Sequence, residues 1–373
     1  MATFSVCIPN FNYARYLDPT ISSARQQTFA DLEILFSDNA STDASLDVVR
    51  RHQAEDPRIQ VSVNRCNVGF FGNLDRAARM ARGRFMLMLS SDDLMEPRAL
   101  EVYERVFTAL GDGADRTVIG SARHVIDGAG ARVDTQSFNR KLWRGAERDA
   151  ALSERAGGPV WSLEAPRLLA NSLRMLRTPY YFVTTAYPRA LYDEVEGYSQ
   201  GGLMNPDKRF AWALLERAER ALFVDLPLFR YRVHDANQLS QNRAMSALKH
   251  HVDQYTATIT VSDAMLERAG MRRDEIVAAF VEQDIGLRGL RALGAGDRAT
   301  ARRILHMGYA AYPWKMGGSR SVLALRALLR MGPVGTGIAR MAGRRALERW
   351  RRTDAEDEGT PRAWGEAQSG VVA

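Results

Sequence analysis

Residues 4–13 read Phe4-Ser5-Val6-Cys7-Ile8-Pro9-Asn10-Phe11-Asn12-Tyr13: a short apolar run that passes into a polar turn without a single glycine. Phe4 to Ile8 has the length and apolar content of a buried strand, and Pro9, which has no N–H for a ladder, is expected to stop it. The missing glycines carry information. Dinucleotide-binding folds and P-loops need several there so that the backbone can approach phosphate, and sugar nucleotidyltransferases also place a Gly-rich loop after their first strand. The loop argues against all three.

Outward from this stretch the pattern repeats. A helix is expected near Leu17–Gln27, a strand at Leu32–Phe36, a helix at Ala44–His52, a strand at Ile59–Val63, a helix at Gly72–Ala81 and a strand at Phe85–Leu89. Strands alternating with helices predict an α/β fold: a mostly parallel sheet sandwiched by helices. Beyond the helix Arg98–Leu110, the runs Thr117–Ile126 and Ala131–Thr135 flank Asp127-Gly128-Ala129-Gly130 and predict a hairpin. Phe138–Pro166 reads as a long loop with helical pieces. Phe182–Tyr187 reads as a strand, Arg189–Val195 and Lys208–Glu219 as helices, and Ala221–Val224 and Leu228–Tyr231 as two further strands. From Asn242 the pattern is helical, with Asp274–Gly294, Asp297–Tyr312 and Ser321–Leu329 as the clearest segments and Asp297 as an N-cap. Residues 353–373 are polar and poor in core formers, the composition of a disordered tail.

Composition sets outer limits. The 373 residues are 46% hydrophobic and 25% charged, proportions of a globular chain with enough length for a large core. Two cysteines, Cys7 and Cys66, are too few for a disulfide framework or a cysteine zinc site and read as small buried hydrophobes. No apolar stretch reaches the ~18–20 residues that span a bilayer, and Thr3–Pro9 is too short, with no basic region before it, for a secretory signal. A cytoplasmic location is expected. The net charge of +7, from 51 Lys plus Arg against 44 Asp plus Glu, permits nucleic acid, anionic membrane or phosphate ligands. No helix-turn-helix, zinc-finger or aromatic RNA-binding motif accompanies it, so nucleic acid is not expected as a partner.

Ligands of an open parallel sheet bind outside the carboxyl ends of its strands. Those ends carry Pro9–Tyr13, then Asp38-Asn39-Ala40-Ser41-Thr42-Asp43, then Asn64–Gly69, then Ser91-Asp92-Asp93. Each cluster alone also fits turns and helix caps. The adjacent carboxylates Asp92 and Asp93 are costly after a buried strand unless a cation shares the site, and Mg²⁺ bound by one or two carboxylates plus substrate phosphates fits the pair. A helix N-cap before Pro97 is the alternative.

Together these residues resemble the family 2 glycosyltransferases. The resemblance runs from Thr3 to about Ser240 and rests on Ser5–Tyr13, Tyr16-Leu17, Ile21-Ser22-Ser23, Gln27-Thr28, Asp38-Asn39, Ser41-Thr42-Asp43, Asn67-Val68-Gly69, Asn73 and Ser91-Asp92-Asp93. It implies the GT-A (Rossmann-like) fold with a C-terminal helical extension, a nucleotide-sugar donor, a divalent cation (Mg²⁺ or Mn²⁺) and inversion at the anomeric carbon. In these terms 1–240 is the catalytic domain, with a nucleotide-binding half (1–110) and an acceptor-binding half (111–240), and 241–352 is the helical region.

Carried over residue by residue, the resemblance places Pro9, Asn10, Phe11 and Asn12 in the nucleotide pocket and Asp38 on the base of a UDP- or dTDP-sugar. Asn67 and Asn73 border the nucleoside, with Arg65 nearby. Asp93 ligates the metal and Asp92 contacts ribose or assists the metal; Ser91 stands where the family's strict pattern has its first acid. Asn205-Pro206-Asp207-Lys208-Arg209-Phe210-Ala211-Trp212 resembles the family's acidic segment before an aromatic-rich helix, which makes Asp207 the candidate general base; an N-cap role is the other reading. Glu196-Gly197-Tyr198 is similar to the family's turn toward the acceptor, with Tyr198 and Trp212 either flanking a sugar or in the core. Tyr231-Arg232-Val233-His234 resembles its late motif, so Arg232 is expected near the diphosphate and His234 on the metal or a phosphate.

The expected activity is transfer of a sugar to a hydroxyl of a glycan, a lipid-linked molecule or another acceptor, in polysaccharide or glycoconjugate synthesis. The competing expectation is a non-catalytic nucleotide-sugar-binding scaffold; Asp93 and Asp207, both present, favour the enzyme. Residues 315–352 are rich in Arg with intervening apolar residues. They read either as a surface for peripheral contact with the inner face of a membrane or as helices packed on the catalytic domain or on a second copy of the chain, with Gly332, Pro333, Gly335 and Gly337 interrupting any continuous helix.

Overall fold

The structure, a computed structural model, describes residues 2–195, 197–198, 206–234 and 247–353; the side chains of 206, 247–251 and 344–353 fall outside that description. Strands β1 (Phe4–Asn10), β2 (Leu32–Asp38), β3 (Ile59–Val63) and β4 (Phe85–Met88) alternate with helices α1 (Ala14–Arg25), α2 (Ser45–Glu55) and α3 (Gly69–Met80). They pair in parallel in the spatial order β3-β2-β1-β4. Every residue of β1, β2 and β4 is buried, as expected for strands covered on both faces. Alternate side chains feed opposite cores. Phe4, Val6 and Ile8 pack with Leu17 and Ile21 of α1 and Val49 of α2, while Cys7 packs with Leu35 and with Leu74 and Ala77 of α3.

The second half widens the sheet. It comprises β5 (Leu94–Met95), α4 (Ala99–Leu110), β6 (Thr117–Ile126), β7 (Arg132–Gln136), β8 (Glu147–Arg148), α5 (Ala150–Ala156), β9 (Val160–Glu164), α6 (Ala165–Met175), β10 (Ala186–Pro188), α7 (Arg189–Glu194), α8 (Pro206–Arg217) and β11 (Arg220–Arg232). The order continues β4-β10-β6-β11-β9-β8. Because β10 is antiparallel to both neighbours, β6 and β11 run in the direction of β1–β4. Strands β1–β4, β6 and β11 thus share one direction, and their carboxyl ends form one rim.

Several boundaries differ from the sequence reading. Strand β1 runs through Pro9 to Asn10, paired with Ser37 and Asp38. Its pairing with β4 ends at Cys7, so on that side Pro9 meets no strand that needs its N–H. Phe182–Thr184 forms a 3₁₀ turn, and only Ala186–Pro188 is strand. The expected loop between Phe138 and Pro166 contains β9, whose partner is the first half of β11, a long-range pairing that local patterning does not announce. The two expected late strands are one, β11, with register shifts on either side of Pro227 where the proline cannot donate. Cys7 is buried, but Cys66 is exposed.

The remaining residues are helical, including Arg273–Phe280, Arg288–Gly294, Arg298–Ala311 and Arg320–Arg330, with a π-helical stretch at Val281–Leu287. Asp297 caps Arg298–Ala311 by accepting the Thr300 N–H at 2.9 Å. These helices share the core of the α3 side of the sheet: Trp212, Phe280, Ile285, Ile304 and Leu325 belong to one contiguous apolar cluster with Met86 and Tyr187. The expected interruption occurs at Gly332, whose left-handed backbone (φ 60°) follows the end of Arg320–Arg330, whereas Gly335 and Gly337 lie inside the next helix, Gly332–Thr353. Pro333 falls in its first turn, where a missing N–H costs nothing. Gly335 lies against the Leu328 carbonyl, which leaves no room for a Cβ.

Candidate active site

The first loop is built by the second. Asp38, fully buried at the end of β2, accepts from Asn10 Nδ2 (3.0 Å) and Ser41 Oγ (2.6 Å) at Oδ1, and from the Ser41 N–H (2.8 Å) at Oδ2. Ser41 Oγ also receives the Asn12 N–H, Asn12 Oδ1 receives the Thr42 N–H at 2.7 Å, and Asp43 receives the Ala14 N–H. Asn12 and Ala40 hold left-handed backbones (φ 57° and 61°), a conformation whose cost the interlocked bonds offset. Pro9 is buried, with its carbonyl bonded to Ser91 Oγ, and Phe11 is left exposed at the rim. Asn10 Oδ1 is buried and has no hydrogen-bond partner, an acceptor beside Asp38 that no described residue satisfies.

Asparagines join the third strand end to the first two. Asn73 donates to the carbonyls of Asn10 and Ser37 and accepts from Ser37 Oγ and Asn64 Nδ2. Four bonds saturate its amide, so this side chain positions the rim from within. Asn67, exposed, accepts from Asn39 Nδ2 and the Gly69 N–H, both at 2.8 Å. Arg65 is exposed.

Asp92 and Asp93 follow β4 and are both buried. Asp93 Oδ1 accepts the Arg232 backbone N–H at 2.7 Å, whereas Oδ2 is buried with no hydrogen-bond partner. Burial, then the Asp92 charge, holds the Asp93 carboxyl well above the usual range; the Arg232 amide, Arg123 and Ser90 oppose this. Asp92 Oδ2 lies 3.0 Å from His234 Nε2. The His234 ring sits 4.6 Å from that of Tyr16 and 6.0 Å from that of Tyr13, which closes the first loop over the acid pair. Tyr13 has its own pKa raised by burial and by Asp92 and Asp93. The Arg232 guanidinium is directed to main-chain carbonyls, with Nε to Asp92 O (2.8 Å) and Nη1 to Asp127 O (3.2 Å), and it lies over Tyr16.

Asp207 is in the first turn of α8, one residue past its start, so it is not the cap. Burial raises its pKa, with the Lys208 charge and amides at the helix start acting the other way. Lys208 is itself buried, with Nζ 2.7 Å from Gln254 Oε1 on the carboxy-terminal helix Ala247–Ile259. The charges of both Asp93 and Asp207 act on the guanidinium of Arg123 of β6. Asp93 and Asp207, separated by 114 positions in the chain, are thus both within electrostatic range of Arg123.

The structure thus brings together the first loop, Asp38, the asparagines, Asp92, Asp93, Arg232 and His234. It takes two residues away. Tyr198 is buried, bonded to Tyr187 Oη at 2.8 Å and stacked on Phe210, and Trp212 is buried with Nε1 on Ser172 Oγ, so both are core and neither flanks a sugar. Glu196 and Asn205 lie outside the described residues. Arg123, Lys208 and Asp75 do not stand out in the sequence. Asp75 accepts the Tyr198 N–H at 2.6 Å and so fixes the Gly197–Tyr198 turn; an acid in the middle of an apolar helix face is the available signal.

Among the described residues no group of three or more His, Cys, Asp or Glu side chains is arranged to hold a metal. A divalent cation nevertheless fits Asp93. Its Oδ2 is an unsatisfied buried carboxylate oxygen, and a hard cation that takes one protein carboxylate completes its shell with water and phosphate oxygens. His234, expected on the metal or a phosphate, has Nε2 3.0 Å from Asp92 Oδ2. A cleft of about 690 Å³ is lined by His124, Arg132 and Arg230 together with Gly130, beside which the Arg232 guanidinium lies.

Comparison with known proteins agrees with this geometry. The profile of the family described as Glycosyl transferase family 2 matches residues 5–158. An uncharacterized glycosyltransferase of Nostoc sp. is 34% identical over 135 residues, 36% of this chain and 40% of that protein. Chondroitin synthase of Escherichia coli is 36% identical over 98 residues, 26% of this chain and 14% of that protein. The matched stretches thus span well under two thirds of these relatives. Among solved structures, residues 1–349 of S. aureus TarS in complex with UDP-GlcNAc superpose with a TM-score of 0.62 at 18% identity, covering 95% of this chain and 92% of that one. That likeness is one of fold.

Proposed function

We propose that this chain, a member of glycosyl transferase family 2, transfers a sugar from a nucleoside diphosphate sugar to an acceptor hydroxyl with inversion, in the assembly of a polysaccharide or other glycoconjugate. The observation that carries the reading is the buried Asp93 carboxylate, with one oxygen fixed by the Arg232 amide and the other unsatisfied, within electrostatic range of the same guanidinium as Asp207.

In this reading the first loop and the Asp38–Ser41 corner hold the nucleoside, with Asn10 Oδ1 as an acceptor beside it. The base is uracil or thymine, whose imide N–H matches acceptors, and the UDP-GlcNAc bound by TarS is consistent with that choice. Asp93 would hold a divalent cation, Mg²⁺ or Mn²⁺, which when bound neutralises charge on the diphosphate. Asp92, oriented by His234, faces the same donor. The acceptor oxygen attacks the anomeric carbon as the bond from that carbon to the diphosphate oxygen breaks, and the hydroxyl proton passes to Asp207. The sugar goes through an oxocarbenium-like state of the kind known from glycoside hydrolysis.

The acceptor side extends to the carboxy-terminal helices. Met331, Val334, Ile338 and Met341 are exposed, and the last three are spaced i, i+4, i+7 on one helix beside exposed Arg330 and Arg340. No helix among the described residues is long and apolar enough to cross a membrane. A basic stripe of this kind lies on an anionic bilayer and would suit a lipid-linked acceptor at its inner face.

The test of the whole reading is a thermal-shift panel of UDP-, dTDP- and GDP-sugars with and without Mn²⁺. Stabilisation by a uridine or thymidine donor that requires the cation is expected, because a ligand that binds only the folded state raises Tm. No shift with any donor removes the proposal.

A further inference from the structure

We propose that Arg123 is a diphosphate-binding group of the transfer site, a guanidinium held between two tyrosine rings that presents its outer edge to the oxygens of the departing nucleoside diphosphate. The inference rests on the reading of the cleft as a nucleotide-sugar site.

The guanidinium carbon of Arg123 lies 4.3 Å from the ring centroid of Tyr181 and 4.1 Å from that of Tyr231, so an aromatic ring covers it on two sides. Its Nε donates to Gln136 Oε1 at 2.7 Å, which fixes the rotation of the plane. The two terminal nitrogens make no hydrogen bond to any described residue. Arg123 is half-buried, and partial burial lowers its pKa. The charges of Asp93 and Asp207 oppose that shift. This is an immobilised fork with its donors uncommitted.

Charge and geometry point to a phosphate as its target. The site gathers Asp92, Asp93 and, once donor is present, a diphosphate; transfer then adds negative charge to the leaving oxygen. Arg232, the other arginine beside Asp93, has Nε and Nη1 on the carbonyls of Asp92, Asp127 and Gly128. Arg123 has donors left, and a planar fork matches two phosphate oxygens at once, which an ammonium does not. Fixed donors aimed at developing charge act without reorganising during the reaction.

The experiment compares wild type, Arg123→Met and Arg123→Lys by calorimetric titration with UDP plus Mn²⁺, UDP without metal, and uridine. For Arg123→Met the account expects UDP affinity to fall by roughly tenfold or more with and without Mn²⁺, while uridine affinity stays at the wild-type value, which also shows that the variant is folded. Arg123→Lys should fall between the two. If wild type binds UDP and Arg123→Met binds it equally well, the role of Arg123 is overturned and the functional reading stands. A raised KM for acceptor with unchanged UDP affinity would place Arg123 on the acceptor side and overturn the diphosphate role in the same way. If wild type binds none of UDP, dTDP and GDP, the reading of the cleft falls and this inference with it.

Discussion

The backbone N–H of Arg232 donates to Asp93 Oδ1 at 2.7 Å, so the last residue of β11 fixes one oxygen of a carboxylate that follows β4 and leaves the other, Oδ2, buried and unsatisfied. A carboxylate kept in this state is a cost to the fold. Removing its charge should therefore help stability and harm function.

Asp93→Asn keeps an oxygen for the Arg232 amide and removes the buried charge. In metal-free buffer at neutral pH the variant should be more stable than wild type by about 1–2 kcal/mol, the size of gain seen when a functional strain is relieved. The Mn²⁺-dependent thermal shift with nucleotide should vanish. Chemical denaturation with and without Mn²⁺ checks both; a variant that keeps the metal-dependent shift removes Asp93 from the cation site.

The acid limb of the rate profile should belong to Asp207. Burial raises its folded pKa above the unfolded value, so the native state binds more protons between the two and the ionised carboxylate costs stability as pH rises through the folded pKa. Activity has the opposite sign, because a base must be ionised. Turnover should fall as pH drops through a pKa above the usual carboxylate range. Lys208→Met removes the cation that holds this pKa down and should move the limb to still higher pH. A limb that stays in place in Lys208→Met assigns it to another group.

Asn73→Ala removes four hydrogen bonds that tie α3 to the ends of β1, β2 and β3. A loss of about 2–4 kcal/mol is expected, seen as a lower denaturant midpoint at unchanged slope. A loss below 0.5 kcal/mol, a threshold of about the size usual for surface changes, would show that the amide network is not holding the rim.

Val334→Asp with Ile338→Asp interrupts the exposed stripe without touching the core. Sedimentation with vesicles containing phosphatidylglycerol should lose the variant and retain wild type, and high salt should weaken wild-type binding. Equal sedimentation of the two proteins would rule out this surface as the lipid contact.

The parallel half of the fold was legible in the sequence because β1, β2 and β4 are buried along their whole length and end in polar clusters with little glycine. Asp38, Asp92 and Asp93 stood out for the same reason. Strand β9 and the joining of the late strands into β11 were not legible, since both depend on pairing with distant partners. The functions of single side chains were harder still. Asn73 and Trp212 have the residue types of ligand contacts, yet the hydrogen bonds of one and the packing of the other are consumed inside the fold. Arg123, one of many arginines, is distinguished only by Tyr181 and Tyr231, which come from other segments of the chain.

The central claim is that Asp93 holds the donor and Asp207 activates the acceptor within one cleft. Donor affinity by titration and turnover by product release, measured side by side for wild type, Asp93→Ala and Asp207→Asn, test it most directly. Asp93→Ala should lose cation-dependent donor binding. Asp207→Asn should bind donor as wild type does while turnover drops by roughly 10²–10⁴, the usual share of a general base. Wild-type turnover in Asp207→Asn, or intact metal-dependent donor binding in Asp93→Ala, would contradict the account.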